Sequence, residues 1–296
     1  MNPVKRSLIN LHITVMLLGG TALFSKLIPL SAIDITFGRS LPGFIMLFIF
    51  VKLSGESLKL KSIKDYLIGI GLGIIMAVHW VTYFVSMQYA SVSVGIIALF
   101  TFPVITVLLE PFFEKIRICW QDLASAFVVL LGIWFIVPSV SLSNDVTLGV
   151  LIGVFSAFLY AIRNLMHRKY FSHYSGSKAM AYQIMVICPC LIFFVSDDLT
   201  TMSANTALLL LLLGTVFTAL PHAMVANALK HLRAKTFSLV ACMQPFYGVV
   251  FAIVLLNETP TWQTLVGGLL VISAAVYETI NAHKEQQALD KQLTDG

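Results

Sequence analysis

The chain has 296 residues, of which 58% are apolar and 11% charged, and its mean hydropathy is +0.90. A water-soluble domain carries about 25% charged residues, so this composition argues against a soluble enzyme, a disordered tail and a nucleic-acid binder. The net charge of +5 has to be read from where the charges sit, and the four cysteines are too few and too apolar in setting for a disulfide framework or a zinc site.

A helix needs ~20 mostly apolar residues to cross the ~30 Å hydrocarbon core of a bilayer. That ruler predicts ten spans, at 8–26, 33–52, 66–86, 94–112, 122–138, 147–167, 178–195, 206–228, 236–255 and 262–281. The first follows Lys5 and Arg6 as a signal peptide would, but it is long and lacks a convincing small-x-small cleavage signal, so it reads as a helix. Span two carries Arg39 near its outer end, where a long stem can reach the headgroups. Span three carries His79, with Trp80 beside it and Tyr83 one turn on along the same face. A histidine among aromatics can hold an amphiphilic solute or carry a proton, or it can simply bond a neighbouring helix. The glycines at 69, 71 and 73 in that span read as close helix packing rather than a nucleotide loop, because no strand precedes them. In span four Pro103, Thr106 and Glu110 share a stripe. Glu110 is a proton-coupling candidate beside His79, its alternative being to reach the headgroups near Lys115.

Beyond the midpoint, Gly149 and Gly153 again read as packing, and Tyr160, Arg163 and Asn164 form a polar cluster toward the inner end of span six. Cys188-Pro189-Cys190 reads as small core residues beside a kink. His222 follows Pro221 in span eight, where a broken helix would free carbonyls. Gln244-Pro245, with Tyr247 nearby, sits in mid-span nine as the partner of Phe102-Pro103, and each proline predicts a kink. Trp120, Trp134 and Trp262 fall near span ends and read as interfacial anchors.

The charges test this count. With the N-terminus in the cytoplasm, 16 of the 19 Lys and Arg fall in the inner segments, while the outer loops keep Asp34, Asp145, Asp197, Asp198 and Glu258. The basic balance therefore reports topology, with both termini inside, and not a nucleic-acid partner. Sliding the chain against itself by 142 residues aligns 103–134 with 245–276 without a gap, pairing Pro103 with Pro245 and Trp120-Gln121 with Trp262-Gln263. Five spans separate the copies, and an odd number inverts the second in the bilayer. Inverted repeats meeting at the midplane are typical of secondary transporters. The expected fold is all-α and integral to the membrane, with ten helices in two inverted five-helix repeats, residues 1–140 and 141–283, and a polar cytoplasmic tail at 284–296.

The segment ALKHLRAKTFSLVACMQPFYGVVFAIVLLNETPTWQTLVGGLLVIS resembles the end of an EamA-type repeat, as does SMQYASVSVGIIALFTFPVITVLLEPFFEKIRICWQDLASAFVVLLG more loosely. LLGGTALFSKLIPLSAIDITFGRSLPGF resembles the front of one. The chain is thus similar to the EamA branch of the drug/metabolite transporter superfamily over nearly its whole length. One departure is that Glu114 follows Pro103 by eleven residues whereas Glu258 follows Pro245 by thirteen, so the family's acidic loop residue is matched only in the second half. The resemblance implies a central cavity, transport of amino acids or similar small metabolites across the cytoplasmic (inner) membrane, and export as the common direction. It also matches Arg39 to an arginine of many such repeats and makes span six a cavity-lining helix. The cavity candidates are His79, Trp80, Tyr83, Pro103, Tyr160, Asn164, His222, Gln244, Pro245 and Tyr247, with Arg39 and Arg163 at its mouths. Import or exchange of a metabolite or nucleotide-like compound is the alternative. An intramembrane enzyme would need a catalytic set, and neither His-Glu-x-x-His, Gly-x-Ser-x-Gly nor a pair of buried aspartates occurs. A membrane subunit that only binds a partner is a third reading. The expected partners are a small-molecule substrate, the lipid bilayer and protons, with no cofactor.

Overall fold

A computed structural model describes the backbone of residues 3–113, 120–137, 141, 143–228 and 240–294, with side chains within 9–113, 120–137, 141, 143–224 and 240–281. Among the described residues every regular element is helical. The chain runs through α1 (Pro3–Gly20), a 3₁₀ turn at Thr21–Leu23, α2 (Phe24–Leu27), α3 (Ala32–Leu53), α4 (Ile63–Tyr89), α5 (Val92–Leu99), α6 (Phe102–Phe113) and α7 (Trp120–Ile136). It continues through α8 (Asp145–Tyr170), α9 (Gly176–Leu191), α10 (Ala204–Gly214), a π turn at Thr215–Ala219, α11 (Leu220–Ala228), α12 (Gln244–Leu256) and α13 (Trp262–Thr294). Seven of the resulting rods are long and apolar enough to cross a membrane, and α7 and α12 are shorter apolar helices. The described helices lie along the apolar stretches expected from hydropathy, the first of those stretches being divided among α1, the 3₁₀ turn and α2.

The helices start where the sequence offers a side-chain oxygen to an orphan backbone N–H. Ser31, Ser62, Ser91, Asn144, Ser175 and Ser203 each accept from the N–H three residues ahead and so open α3, α4, α5, α8, α9 and α10. Polarity runs inside out along these rods. Large apolar side chains such as Leu41, Ile45, Ile49, Leu67, Phe127, Leu130 and Trp134 face outward. Arg39, Ser40, His79, Ser86, Ser156 and Gln183 are buried. A surface of that kind suits lipid rather than water.

Close contacts are made at small residues, as the sequence anticipated for Gly73, Gly149 and Gly153. α4 lies along α8, where Gly149 and Gly153 sit against Ser86, Ala90 and Ala98, and the Ser86 hydroxyl donates to the Gly149 carbonyl at 2.7 Å. Gly73 brings α4 against Val186 of α9, whereas Gly71 faces open space. α3 packs on α9, α7 on α13 at Gly132 and Gly267, and α1 on α11 and α12 at Gly19 and Gly248. The pattern is mirrored along the chain: α8 touches α4, α5 and α6, and α1 touches α11 and α12.

Two rods are interrupted in the same way. The helix stops at Phe100-Thr101 before α6 and at Cys242-Met243 before α12, positions 142 residues apart. At the first break Thr101 N–H donates to Ala98 O (3.3 Å) and Ile105 N–H to Thr101 O (3.1 Å). At the second, Met243 N–H donates to Val240 O (3.0 Å) and Tyr247 N–H to Met243 O (3.1 Å), the same bonds shifted by 142. The expected kink at Pro103 and Pro245 is therefore corrected. Each proline lies in the first turn of a new helix, where its missing N–H would have had no partner anyway.

Hydrogen bonds stitch the two ends of the bundle. At one end Ser196 donates N–H and Oγ–H to Asp34 (2.9 and 2.8 Å), and Gln88 donates to Leu30 O (2.9 Å). There Glu258, in the loop after α12, accepts from the N–H groups of Val92 (2.7 Å) and Ser93 (3.1 Å) and from the Ser93 hydroxyl (2.7 Å). At the other end Ser175 donates to Glu56 (2.7 Å), Lys178 to Lys59 O (2.8 Å) and Tyr174 to Asp65 (2.8 Å). The Glu258 carboxylate complements the positive end of α5, so Glu258→Gln is expected to destabilise the protein by about 1–2 kcal/mol. A thermal melt in detergent reads this, and an unchanged midpoint would deny Glu258 that role.

Candidate functional site

The polar residues that matter are set out by helical spacing. On α8, Ser156, Tyr160 and Arg163 follow at i, i+4 and i+7 and so share a face. On α4, His79 and Tyr83 are one turn apart with Trp80 and Phe84 alongside. Where α4 crosses α8, the Ser156 hydroxyl donates to the His79 carbonyl (2.9 Å), while His79 Nδ1 lies 2.8 Å from Ser156 Oγ and 3.1 Å from Ser156 O. The serine proton is used on His79 O, so Nδ1 must be the donor toward Ser156. That leaves Nε2 without a proton and able to accept. The imidazole is buried and stacked between Tyr160 (centroids 4.8 Å apart) and Tyr83 (6.2 Å). Phe102, next to Pro103 and just past the break that opens α6, meets Tyr160 edge-on at 4.9 Å.

Two arginines bracket this stack. Arg39 of α3 is only 2% exposed, and its guanidinium lies 3.6 Å from the Trp80 ring centroid and 5.0 Å from that of Phe84. The expectation that its stem reaches the headgroups is overturned, because it turns inward onto the aromatic face of α4. Arg163 of α8 likewise does not run out to the headgroups. Its Nε donates to Gln183 Oε1 (2.7 Å), one terminal nitrogen to Asn164 Oδ1 (3.0 Å), and the other approaches Met180 Sδ at 3.9 Å. His222 is half-buried on α11, which packs on α1, α9 and α3. The irregularity expected at Pro221 lies one turn earlier, in the π turn. Pro221 has no N–H for the Phe217 carbonyl, and the Thr21 hydroxyl of the α1–α2 turn donates to it instead at 3.0 Å.

The structure thus gathers Arg39, His79, Trp80, Tyr83, Tyr160, Arg163 and Asn164 around one crossing, with Pro103 at its edge, while His222 lies on α11. The other candidates lie elsewhere. Gln244, Pro245 and Tyr247 lie in the first turn of α12, which packs on α1: the Gln244 carbonyl meets Gly19 and the Tyr247 hydroxyl lies 3.2 Å from His12 Nδ1. Glu110 forms an ion pair with the half-exposed Arg168 at the end of α8, and Lys115 lies outside the described residues. Sequence reasoning missed Ser156, Gln183, Thr21 and His12. The spacing of Ser156 from Tyr160 and Arg163 was a usable signal for the first. Glu110→Gln is expected to cost less than ~1 kcal/mol, as befits an exposed pair. It is also expected to leave the response of transport to an imposed pH gradient unchanged, and loss of that response would make Glu110 the proton carrier.

A bundle of apolar rods with a polar interior defines a multi-pass membrane protein. The model of the EamA-like transporter family matches residues 6–137 and again residues 147–277, and the chain belongs to that family. It is a membrane transporter and not an enzyme. The chain is 24% identical over 297 aligned positions to "Uncharacterized transporter YxxF" of Bacillus subtilis (strain 168), covering 98% of this chain and 94% of that one. It is 21% identical to "Uncharacterized transporter YdfC" of the same organism, covering 83% and 81%. A solved structure titled "Crystal structure of protein" has the same fold, with a TM-score of 0.63 at 15% identity over 94% of this chain and 97% of that one.

Proposed function

We propose that the protein is a secondary transporter that moves a small organic solute, an amino acid or a similar amphiphile, out of the cell across the cytoplasmic membrane. In this reading ten spans form two inverted halves, residues 1–140 and 141–283, whose rocking exposes a central site to one side and then the other. Both termini and the tail at 284–296 face the cytoplasm. The observation that carries the reading is the crossing at His79 and Ser156. A helix from each half meets the other there through buried polar groups flanked by aromatic faces, and such groups in a membrane interior mark solute pathways. The matching breaks before α6 and α12, the mirrored packing of α8 and α1, the double match of the family model and the clustering of Lys and Arg support the two-half arrangement.

The site would take solute at His79, Trp80, Tyr83, Tyr160 and Asn164. His222 would act from the second half, Pro103 and Pro245 would sit at the breaks that let the halves move, and Gln244 and Tyr247 would line the far wall. His79 is the proton-coupling candidate within the cluster; Glu110, outside it and paired with Arg168, is the alternative that the Glu110→Gln measurement tests. The test combines two measurements. Single cysteines at Glu56 and Glu258, in a background lacking the four native cysteines, should label from opposite sides of sealed vesicles. Proteoliposomes loaded with a panel of amino acids should show counterflow of the matching labelled solute. Labelling of both positions from one side would remove the inverted arrangement, and absence of counterflow for every solute would remove the amino-acid reading.

A further inference from the structure

Resting on the transport reading above, the electrostatics of the cluster narrow the solute. Arg39 is almost wholly buried, and its Nε has no hydrogen-bond partner. The hydroxyl of Tyr83, which lies on α4 between the Trp80 and Phe84 that the guanidinium covers, is also buried and has no partner among the described residues. Among the described residues no carboxylate pairs with Arg39 or Arg163, whose only partners are the neutral Gln183, Asn164 and Met180. Asp34, the acidic residue nearest Arg39 in sequence, is engaged with Ser31 and Ser196, and Glu110 of α6 is engaged with Arg168.

Taking a guanidinium out of water costs several kcal/mol unless an anion and hydrogen bonds repay it. The Trp80 and Phe84 faces repay only part, since the attraction of a ring for a cation is smaller than that penalty. A buried guanidinium whose Nε–H is unused, beside a buried hydroxyl that is unused as well, describes one half of a hydrogen-bonded ion pair. A guanidinium fork matches the two oxygens of a carboxylate, and a phenol adds a third donor. The ring faces alongside would accept an apolar body.

We propose that the transported solute bears a carboxylate, which binds Arg39 and the Tyr83 hydroxyl with its apolar part against the Trp80 and Tyr160 rings. Arg163, one helix away and also without an acidic partner, holds the interior positive as the anion passes. The bound anion supplies the counter-charge that no described residue places beside Arg39 or Arg163.

The test uses the purified full chain in nanodiscs and the melting temperature as readout. The probes are L-phenylalanine, phenylacetate and hexanoate at millimolar concentration, each beside its amide, with benzylamine as the cationic control. Wild-type protein is expected to be stabilised by at least one carboxylate and by neither its amide nor the amine. Arg39→Met is expected to lose that response and, because it removes an uncompensated buried charge, to melt higher than wild type without solute. An arginine with a purely structural role predicts the opposite sign. Tyr83→Phe, which changes one atom, is expected to keep the wild-type baseline and raise the carboxylate concentration for half-maximal shift about tenfold. Stabilisation by an amide or by benzylamine equal to that by the acid overturns the proposal, as does an unaltered response in Tyr83→Phe and Arg39→Met or no response to any carboxylate. The two readings separate in proteoliposomes. Counterflow of an amide or an amine leaves transport standing and the anion site overturned, whereas a carboxylate that binds through Arg39 and never exchanges overturns transport alone.

Discussion

Gly149→Val is expected to leave little or no folded monomer, the largest stability effect of any single substitution considered for this chain. A Cβ at residue 149 would meet the Ala90 Cβ at 2.7 Å, and the Ala90 nitrogen and Ser86 carbonyl oxygen both at 2.9 Å. Two of these three atoms are backbone, so no rotamer change can make room and α8 must retreat from α4. Retreat also stretches the 2.7 Å bond from the Ser86 hydroxyl to the Gly149 carbonyl. It moves Ser156, seven residues or about 10 Å further along α8, away from His79. Overpacking of this kind costs 1–3 kcal/mol even where side chains can yield, and a backbone clash exceeds ~3 kcal/mol. The same substitution at Gly71, which faces open space, supplies the control and is expected to be tolerated. Size-exclusion chromatography and a thermal melt of both variants decide the matter. A Gly149→Val protein with wild-type elution and melting would show that α4 and α8 need not touch.

This junction also shows what the sequence could and could not reveal. The rods themselves were legible, because ~20 apolar residues between charged or capped ends have few other solutions in a bilayer. The glycines at 149 and 153 were legible as packing for the same reason. Their partner was not, since nothing local says whether a small-residue face will meet α4 or a different helix. His79, Trp80 and Tyr83 stood out as polar or amphipathic groups in hydrocarbon. Ser156 did not, because a serine amid glycine and alanine reads as one more small residue. Arg39 was legible as costly, yet its direction was misjudged. The headgroups lie within reach of its stem, and only the tertiary placement of Trp80 and Phe84 decides that it turns inward. The breaks before α6 and α12 were half legible. Proline marked the place, but whether it bends a helix or begins one depends on the residues ahead of it, here Phe100-Thr101 and Cys242-Met243. The π turn at Thr215–Ala219 was beyond sequence reach, since its free carbonyl is satisfied from α1's end by Thr21, almost two hundred residues away.

His79→Ala is expected to reduce transport about 10- to 100-fold while lowering stability by only about 1–3 kcal/mol. The inequality follows from the hydrogen bonds. The Ser156 hydroxyl donates to the His79 carbonyl, a backbone atom that alanine retains, so the substitution strands no buried hydroxyl proton. What it removes is the imidazole from between Tyr83 and Tyr160, and with it Nε2, the acceptor that the proposed solute site would use. Ser156→Ala provides the contrast. His79 Nδ1 can still donate to the Ser156 carbonyl, 3.1 Å away, so the ring keeps its place and transport should fall only a few-fold. If His79 merely fastened α4 to α8, the two variants would lose stability and transport together and by similar amounts. If it forms part of the solute path, transport separates them and melting temperature does not. Counterflow in proteoliposomes matched for protein content measures the first quantity, and a melt of the same preparations the second. Equal transport by the two variants would take His79 out of the path.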